Sequence, residues 1–120
     1  MKIARALIVA ATLLAPIACA QPVAVKGADD RERQAVAPLK NRYKDVVMGT
    51  DVKGANLYVY VDVNNLYSMD QSDEDALKAD ALRRWVRAWK ANHSHHGRIK
   101  LRVSFRDYYG RELLAETTEV

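Results

Sequence analysis

Residues 56–107 read NLYVYVDVNNLYSMDQSDEDALKADALRRWVRAWKANHSHHGRIKLRVSFRD, and this stretch decides the fold. Residues 57–62 alternate apolar side chains with aromatic or acidic ones, which predicts a half-buried β-strand. Residues 73–92 carry a helical pattern, and residues 98–106 alternate again as a second strand. A strand, a helix and a strand in this order predict a parallel pair joined by a right-handed crossover.

The predicted helix has one apolar stripe and one basic face. Ser72 is the expected N-cap, and the acidic residues 73–75 fall in the first turn, where carboxylates offset the helix dipole. Because apolar residues recur at helical spacing, we expect them to cover the sheet and supply most of the core. The predicted buried stripe comprises Ala81, Leu82, Trp85, Val86 and Trp89.

The chain after the second strand predicts a β-hairpin. Residues 107–110 read DYYG, which suits a type I turn followed by a left-handed glycine. The resulting register pairs Arg106 with Glu112 and Arg102 with Glu116 on the outer face. On the core face it pairs Phe105 with Leu113 and Val103 with Ala115.

The first half of the domain is less regular. Asp29 and Glu32 resemble a capping box that opens a first helix. Pro38 interrupts the pattern, so the helix either bends there or begins there. Gly49 is the expected C-cap, residues 51–54 are predicted to form a turn, and a loop is predicted from Asn64 to Gln71.

These elements predict an α/β domain of the α+β type. Residues 29–120 would form one two-layer αβαββ domain, preceded by a flexible mature N-terminus at residues 21–28. Its three-stranded mixed sheet combines the parallel β-α-β unit with the C-terminal antiparallel hairpin. Both helices are expected on one face, because the clean alternation of residues 98–106 leaves the other face in solvent.

Residues 1–20 have the layout of a secretory signal peptide. Lys2 and Arg5 form a basic start, an apolar run follows, and residues 18–20 form a small-residue cleavage site. We therefore expect a periplasmic or secreted protein. Cys19 is the only cysteine, and cleavage before it would make it the lipidated first residue of an outer-membrane lipoprotein. We favour cleavage after Ala20, because Pro16 occupies the position where lipoprotein signals usually have leucine.

No pattern of catalytic residues is present in the sequence. Removal of the signal peptide leaves no cysteine nucleophile, and no serine lies in a nucleophile-elbow motif. No carboxylate pair stands out, and no cofactor motif occurs. We therefore predict that the protein is not an enzyme and needs no cofactor.

Three histidines follow the long helix in the sequence NHSHHG. Imidazoles at this density could ligate zinc, copper or nickel. The interpretation that we prefer is a polar helix end, where imidazolium complements the negative dipole and Gly97 ends the helix. The candidate metal ligands are His93, His95 and His96.

The outer face of the predicted sheet places tyrosines beside cations. Such a surface can stack bases and neutralise phosphates, but an exported protein rarely meets nucleic acid. An unknown envelope protein or an anionic polymer is the expected partner, and membrane contact is expected only if Cys19 is lipidated. The candidate contact residues are Tyr58, Tyr60, Lys100, Arg102 and Arg106.

The sequence therefore predicts an exported, non-enzymatic binding or interaction module of the bacterial cell envelope. Its edge strands and its tyrosine-arginine face are the expected contact surfaces. A weak transition-metal-binding protein that uses the histidine cluster is one alternative, and a polyanion binder that uses the sheet face is another. Residues 76–111 hold ten Lys or Arg against two acids, which is compatible with anionic partners.

Overall fold

A computed structural model describes residues 22–120. The predicted signal peptide and the lipidation candidate Cys19 lie outside the described residues. None of the helices within residues 22–120 combines the length and the apolar composition needed to cross a bilayer. The elements are β1 (Val23–Ala24), α1 (Ala28–Val36), α2 (Pro38–Arg42), β2 (Val47–Lys53), β3 (Asn56–Val61), α3 (Val63–Ser68), α4 (Gln71–Asn92), β4 (His93–Ser94), β5 (Lys100–Arg106) and β6 (Glu112–Glu119).

The main sheet has four strands in the order β2-β3-β5-β6. Strands β3 and β5 are parallel, with Leu57 opposite Val103, and the other two pairs are antiparallel. The predicted parallel unit, the C-terminal hairpin and the two-layer α/β architecture are thus confirmed. A separate two-stranded sheet pairs β1 with β4, so Val23 and Ala24, assigned from sequence to a flexible N-terminus, lie against Ser94 and His93.

The prediction of three strands is wrong, because β2 adds a fourth. Its residues were expected to form a helix end and a turn. A bulge at Met48 shifts the pairing between Val47 and Gly49, so the strand lacks a continuous two-residue alternation. Gly49 lies in this strand and is not a helix C-cap, and the chain turns at residues 54–55.

Pro38 separates two helices, α1 and α2, whereas the sequence predicts one helix that either bends or begins at this residue. It is the first residue of α2, where its missing N–H costs nothing. The predicted capping box is absent, because Gly27 is the N-cap of α1 and no side chain caps this end. Gly27 has a φ of 76°, which favours glycine. Glu32, expected to cap the helix, is instead fully buried.

The predicted loop after β3 contains a short helix, α3. Asp62 caps this helix by accepting a hydrogen bond from the backbone N–H of Asn65 at 3.0 Å, and Leu66 is buried in the core. The following helix, α4, begins at Gln71 with Asp70 as its N-cap, so the prediction that Ser72 is the cap is wrong.

The core lies between the sheet and one helical layer. Trp85 and Trp89 are buried, as predicted, together with the inward residues of β3 and β5. Leu82 and Val86 differ from the prediction, because they are only half-buried on the flank of α4 that faces β6. Leu77 is buried instead.

The hairpin register is correct at its turn and wrong beyond it. Arg106 lies opposite Glu112, but a bulge then shifts the pairing by one residue. Phe105 consequently faces Leu114, and Val103 faces Glu116. Because a one-residue shift reverses the faces of a strand, Glu116 lies on the helical side, where Lys78 pairs with it at 3.7 Å.

Candidate interaction surface at the carboxyl ends of the parallel strands

A concave surface lies where the parallel strands β3 and β5 end. Asp62 directly follows β3, and Asp107 directly follows β5. Ligands commonly bind beyond the carboxyl ends of parallel strands, because the connections there diverge. The cavity is about 340 Å³ and is lined by Met48, Val61, Asp62, Val63, Asp107, Tyr108, Tyr109 and Arg111.

Asp107 holds the turn at this edge in one conformation. Its carboxylate accepts hydrogen bonds from the backbone N–H groups of Tyr109 and Arg111, both at 2.9 Å. The Arg111 guanidinium donates a third at 3.1 Å. The bond from the Arg111 backbone is the largest of the contributions that hold the pKa of Asp107 below its usual range. Gly110, with a φ of 83°, completes the turn.

The fixed turn presents two tyrosines to solvent. Tyr108 is 77% exposed and Tyr109 is 88% exposed, and their rings meet edge to face at 5.5 Å. Met48, on the bulge of β2, is also exposed and lines the same cavity. We call these three residues the aromatic patch. Large apolar side chains held in water by a rigid turn are typical of a contact surface.

Substituting Asp107 with Ala should loosen this turn, because the carboxylate satisfies two backbone donors. We expect the amide protons of Tyr109 and Arg111 to exchange with solvent about tenfold faster, which corresponds to the loss of one hydrogen bond. Hydrogen exchange followed by NMR measures this. Amides in the middle of β5 serve as the internal control and should be unaffected, and unchanged exchange at Tyr109 would refute the role of Asp107.

The outer face of the sheet is internally paired. The Arg106 guanidinium lies 3.9 Å from the centroid of the Tyr58 ring and donates to the hydroxyl of Ser104 at 3.0 Å. Arg102 donates to both carboxylate oxygens of Glu112, at 2.7 and 3.3 Å. Glu112 therefore replaces the predicted partner Glu116. The hydrogen bond from Ser104, followed by that from Arg102, lowers the pKa of Glu112.

The remaining sheet-face candidates differ in their surroundings. Tyr60 lies next to Arg106 on the neighbouring strand and is half-buried, whereas Lys100 is exposed at the start of β5. Two of the three predicted cations are thus engaged within the molecule. The face retains Lys100 as an exposed cation.

The three histidines do not converge. His93 stacks on Trp89 with ring centroids 4.4 Å apart, and its Nδ1 lies 3.1 Å from the Trp89 carbonyl oxygen. His95 meets the edge of the same indole, and its Nε2 lies 3.1 Å from the carbonyl oxygen of Val120. His96 is exposed. Within residues 22–120, no three His, Cys, Asp or Glu side chains are grouped so that they could hold a metal ion.

The residues of the aromatic patch are not among the contact residues predicted from the sequence. The signal was present, because two adjacent tyrosines stand in a turn where small polar residues are usual. Met48 could not have been added, since its position depends on the bulge. No protein-family model, characterised protein or solved structure matches this chain.

Proposed function

We propose that this chain is an exported, non-enzymatic protein-interaction module of the bacterial cell envelope, and that it binds its partner through the aromatic patch. The observation that carries this proposal is the exposure of Tyr108 and Tyr109 on a turn that Asp107 fixes. Tyrosine is enriched among residues that dominate binding energy, because it offers a large rigid surface with a polar end.

The geometry lends less support to the two alternatives. A polyanion site on the sheet face would have to compete with Glu112 for Arg102 and with Ser104 for Arg106. A transition-metal site would require side chains to move, because within residues 22–120 no three potential ligands are grouped so that they could hold a metal ion. Each alternative therefore carries a cost of rearrangement that the aromatic patch does not.

The double substitution of Tyr108 and Tyr109 with Ala should abolish partner binding without unfolding the domain, since both side chains lie mainly in water. Residues of this kind contribute about 2 kcal/mol or more each when they are central to an interface, or at least about thirtyfold in affinity. A photo-crosslinking amino acid at Tyr109 would first identify the partner in an extract of the native cell envelope. Calorimetry with that purified partner then measures the loss.

The matched control is Tyr67→Ala, because Tyr67 is also an exposed tyrosine but does not line the cavity. It should bind the partner as the unmodified protein does. If the double variant binds with unchanged affinity, or if the crosslinker at Tyr109 captures no discrete protein, the proposed function is wrong.

A further inference from the structure

Among residues 22–120, no strand pairs with the outer edge of β6. This strand is last in the main sheet, and its partner there is β5. Ile99 and Val120 exchange both backbone hydrogen bonds, at 3.0 and 2.9 Å, and every second pair does so in an antiparallel ladder. Counting along the register from this pair, the peptide groups of Glu116 and Thr118 point toward β5. Those that point away from the sheet belong to Ala115, Thr117 and Glu119.

An apolar groove accompanies this edge on the helical side. Its volume is about 460 Å³, and its floor includes Leu82 and Val86, which α4 leaves half-buried. Thr118 of β6 forms the opposite wall, since it pairs with the buried Leu101 and faces the helical layer. The groove and the free edge therefore border the same strand.

The spacing of the groove suits an extended chain. Leu82 and Val86 are four residues apart on α4, a rise of about 6 Å. Side chains two residues apart on a strand are separated by about 6.6 to 6.8 Å. Two successive inward side chains of an added strand would thus match the two apolar positions of the groove.

The charges beside the groove are positive. Arg83 lines it, and shares Asp80 with Arg42 and Arg84, so three guanidinium groups surround one carboxylate. Burial alone would raise the pKa of Asp80, but the hydrogen bond from Arg83 and the charge of Arg84 outweigh it and lower that pKa. Arg87 also lines the groove and makes no ion pair with another residue of the described chain.

We propose that β6 and this groove bind an extended segment of another protein as a fifth strand, with apolar and acidic residues facing the groove. Backbone hydrogen bonds would supply affinity, and the groove would select side chains. A second copy of this chain fits less well. The residues of β6 that face the helical side are Leu114, Glu116 and Thr118, so a second copy of this strand would offer one apolar side chain to a groove with two apolar positions. None of the residues of this edge and groove belongs to the aromatic patch.

A randomised nine-residue peptide library, displayed on phage and selected against the purified protein, tests this inference. We expect enrichment of peptides that carry two apolar residues two positions apart, flanked by acidic residues. Hydrogen exchange on a complex with an enriched synthetic peptide should slow the amides of Ala115 and Thr117. The amides of Glu116 and Thr118, which are already bonded to β5, should change little.

Two variants separate the strand from the groove. Thr117→Pro removes an N–H at the free edge, where proline is tolerated, and should weaken peptide binding at least about tenfold. Thr117→Val is its control and should bind normally. Val86→Glu places a negative charge in the groove and should weaken the same peptides while leaving the free edge intact. Melting curves establish that each variant is folded.

Several outcomes would overturn the proposal. Peptides that bind Thr117→Pro and Val86→Glu as tightly as the unmodified protein would exclude this site, as would selection of basic peptides or of none. A concentration-dependent dimer in sedimentation, lost in Thr117→Pro, would assign the edge to self-association instead. The Tyr108→Ala, Tyr109→Ala double variant should retain peptide binding, so failure here is distinct from failure of the proposed function.

Discussion

Replacing Trp85 with Ala should cost about 3 to 5 kcal/mol of unfolding free energy, the range for truncating a fully buried tryptophan. Trp85 has no exposed surface and lies between α4 and the sheet. Its indole Nε1 also donates to the carbonyl oxygen of Ala55 at 3.1 Å, which ties the helix to the β2–β3 turn. The total unfolding free energy of a small domain is about 5 to 15 kcal/mol, so this variant would lose a large share of its stability.

The control for Trp85 is substitution with Phe, which keeps most of the apolar volume but removes the donor. The Ala55 carbonyl oxygen still accepts a hydrogen bond from the backbone N–H of Arg102 at 3.1 Å, so it is not left without a donor. We therefore expect the missing indole bond to cost only about 1 kcal/mol, in addition to the packing lost with the smaller ring. Urea unfolding followed by circular dichroism measures both variants. A loss below about 1 kcal/mol for Trp85→Ala would mean that this indole does not support the core.

Replacing Glu32 with Gln should stabilise the domain at pH 8 and have a much smaller effect at pH 5. Glu32 is fully buried, and neither of its carboxylate oxygens has a hydrogen-bond partner among residues 22–120. Nδ1 of His93 is 3.7 Å from Oε1, too far for a hydrogen bond. Burial, assisted by the charge of Asp29 and opposed by Arg33, raises the pKa of Glu32 from 4.5 to about 7.

The sign of this change in stability depends on whether the folded or the unfolded state binds the Glu32 proton more tightly. The raised pKa means that the folded protein retains a proton that the unfolded chain has lost. This contribution to stability is present below pH 4.5 and is lost as the pH rises through about 7. We therefore expect Glu32→Gln to gain about 2 kcal/mol of unfolding free energy at pH 8. This value is smaller than the pKa difference alone would give, because solvent near the surface screens part of the charge.

Unfolding free energies between pH 5.5 and pH 8 test this expectation. The unmodified protein should lose stability across the range, and Glu32→Gln should flatten the profile. Asp73→Asn removes an exposed carboxylate on α4 and should leave the slope unchanged. Equal slopes for Glu32→Gln and the unmodified protein would show that Glu32 does not carry the pH dependence.

The burial of Glu32 illustrates what local patterns miss. Asp29 and Glu32 have the spacing of a capping box, and nothing nearby in sequence distinguishes a solvated carboxylate from a buried one. The distinction arises because α1 packs on α4 near His93, about sixty residues away in the chain. Strand β2 was missed for a related reason, since its bulge interrupts the alternation that would have revealed it.

The aromatic patch and the outer edge of β6 are also features that local sequence patterns do not reveal. Tyr108 and Tyr109 are adjacent in sequence, but Met48 joins them only because β2 and β5 flank the same parallel strand. The groove exists because a bulge in the hairpin turns Thr118 toward the helical layer. Both surfaces depend on register, which a sequence pattern fixes only where no extra residue intervenes.

The sequence by itself determined the parallel strands, the long helix between them and the two buried tryptophans. Their periodicities are long and regular, so the separation of apolar from polar residues already specifies which side is buried. Only the tertiary structure decided that β2 is a fourth strand, that the Glu32 carboxylate is buried, and which residues form each surface. Those features rest on contacts between residues that are distant in the chain, and two single-residue bulges set which side chains share a face.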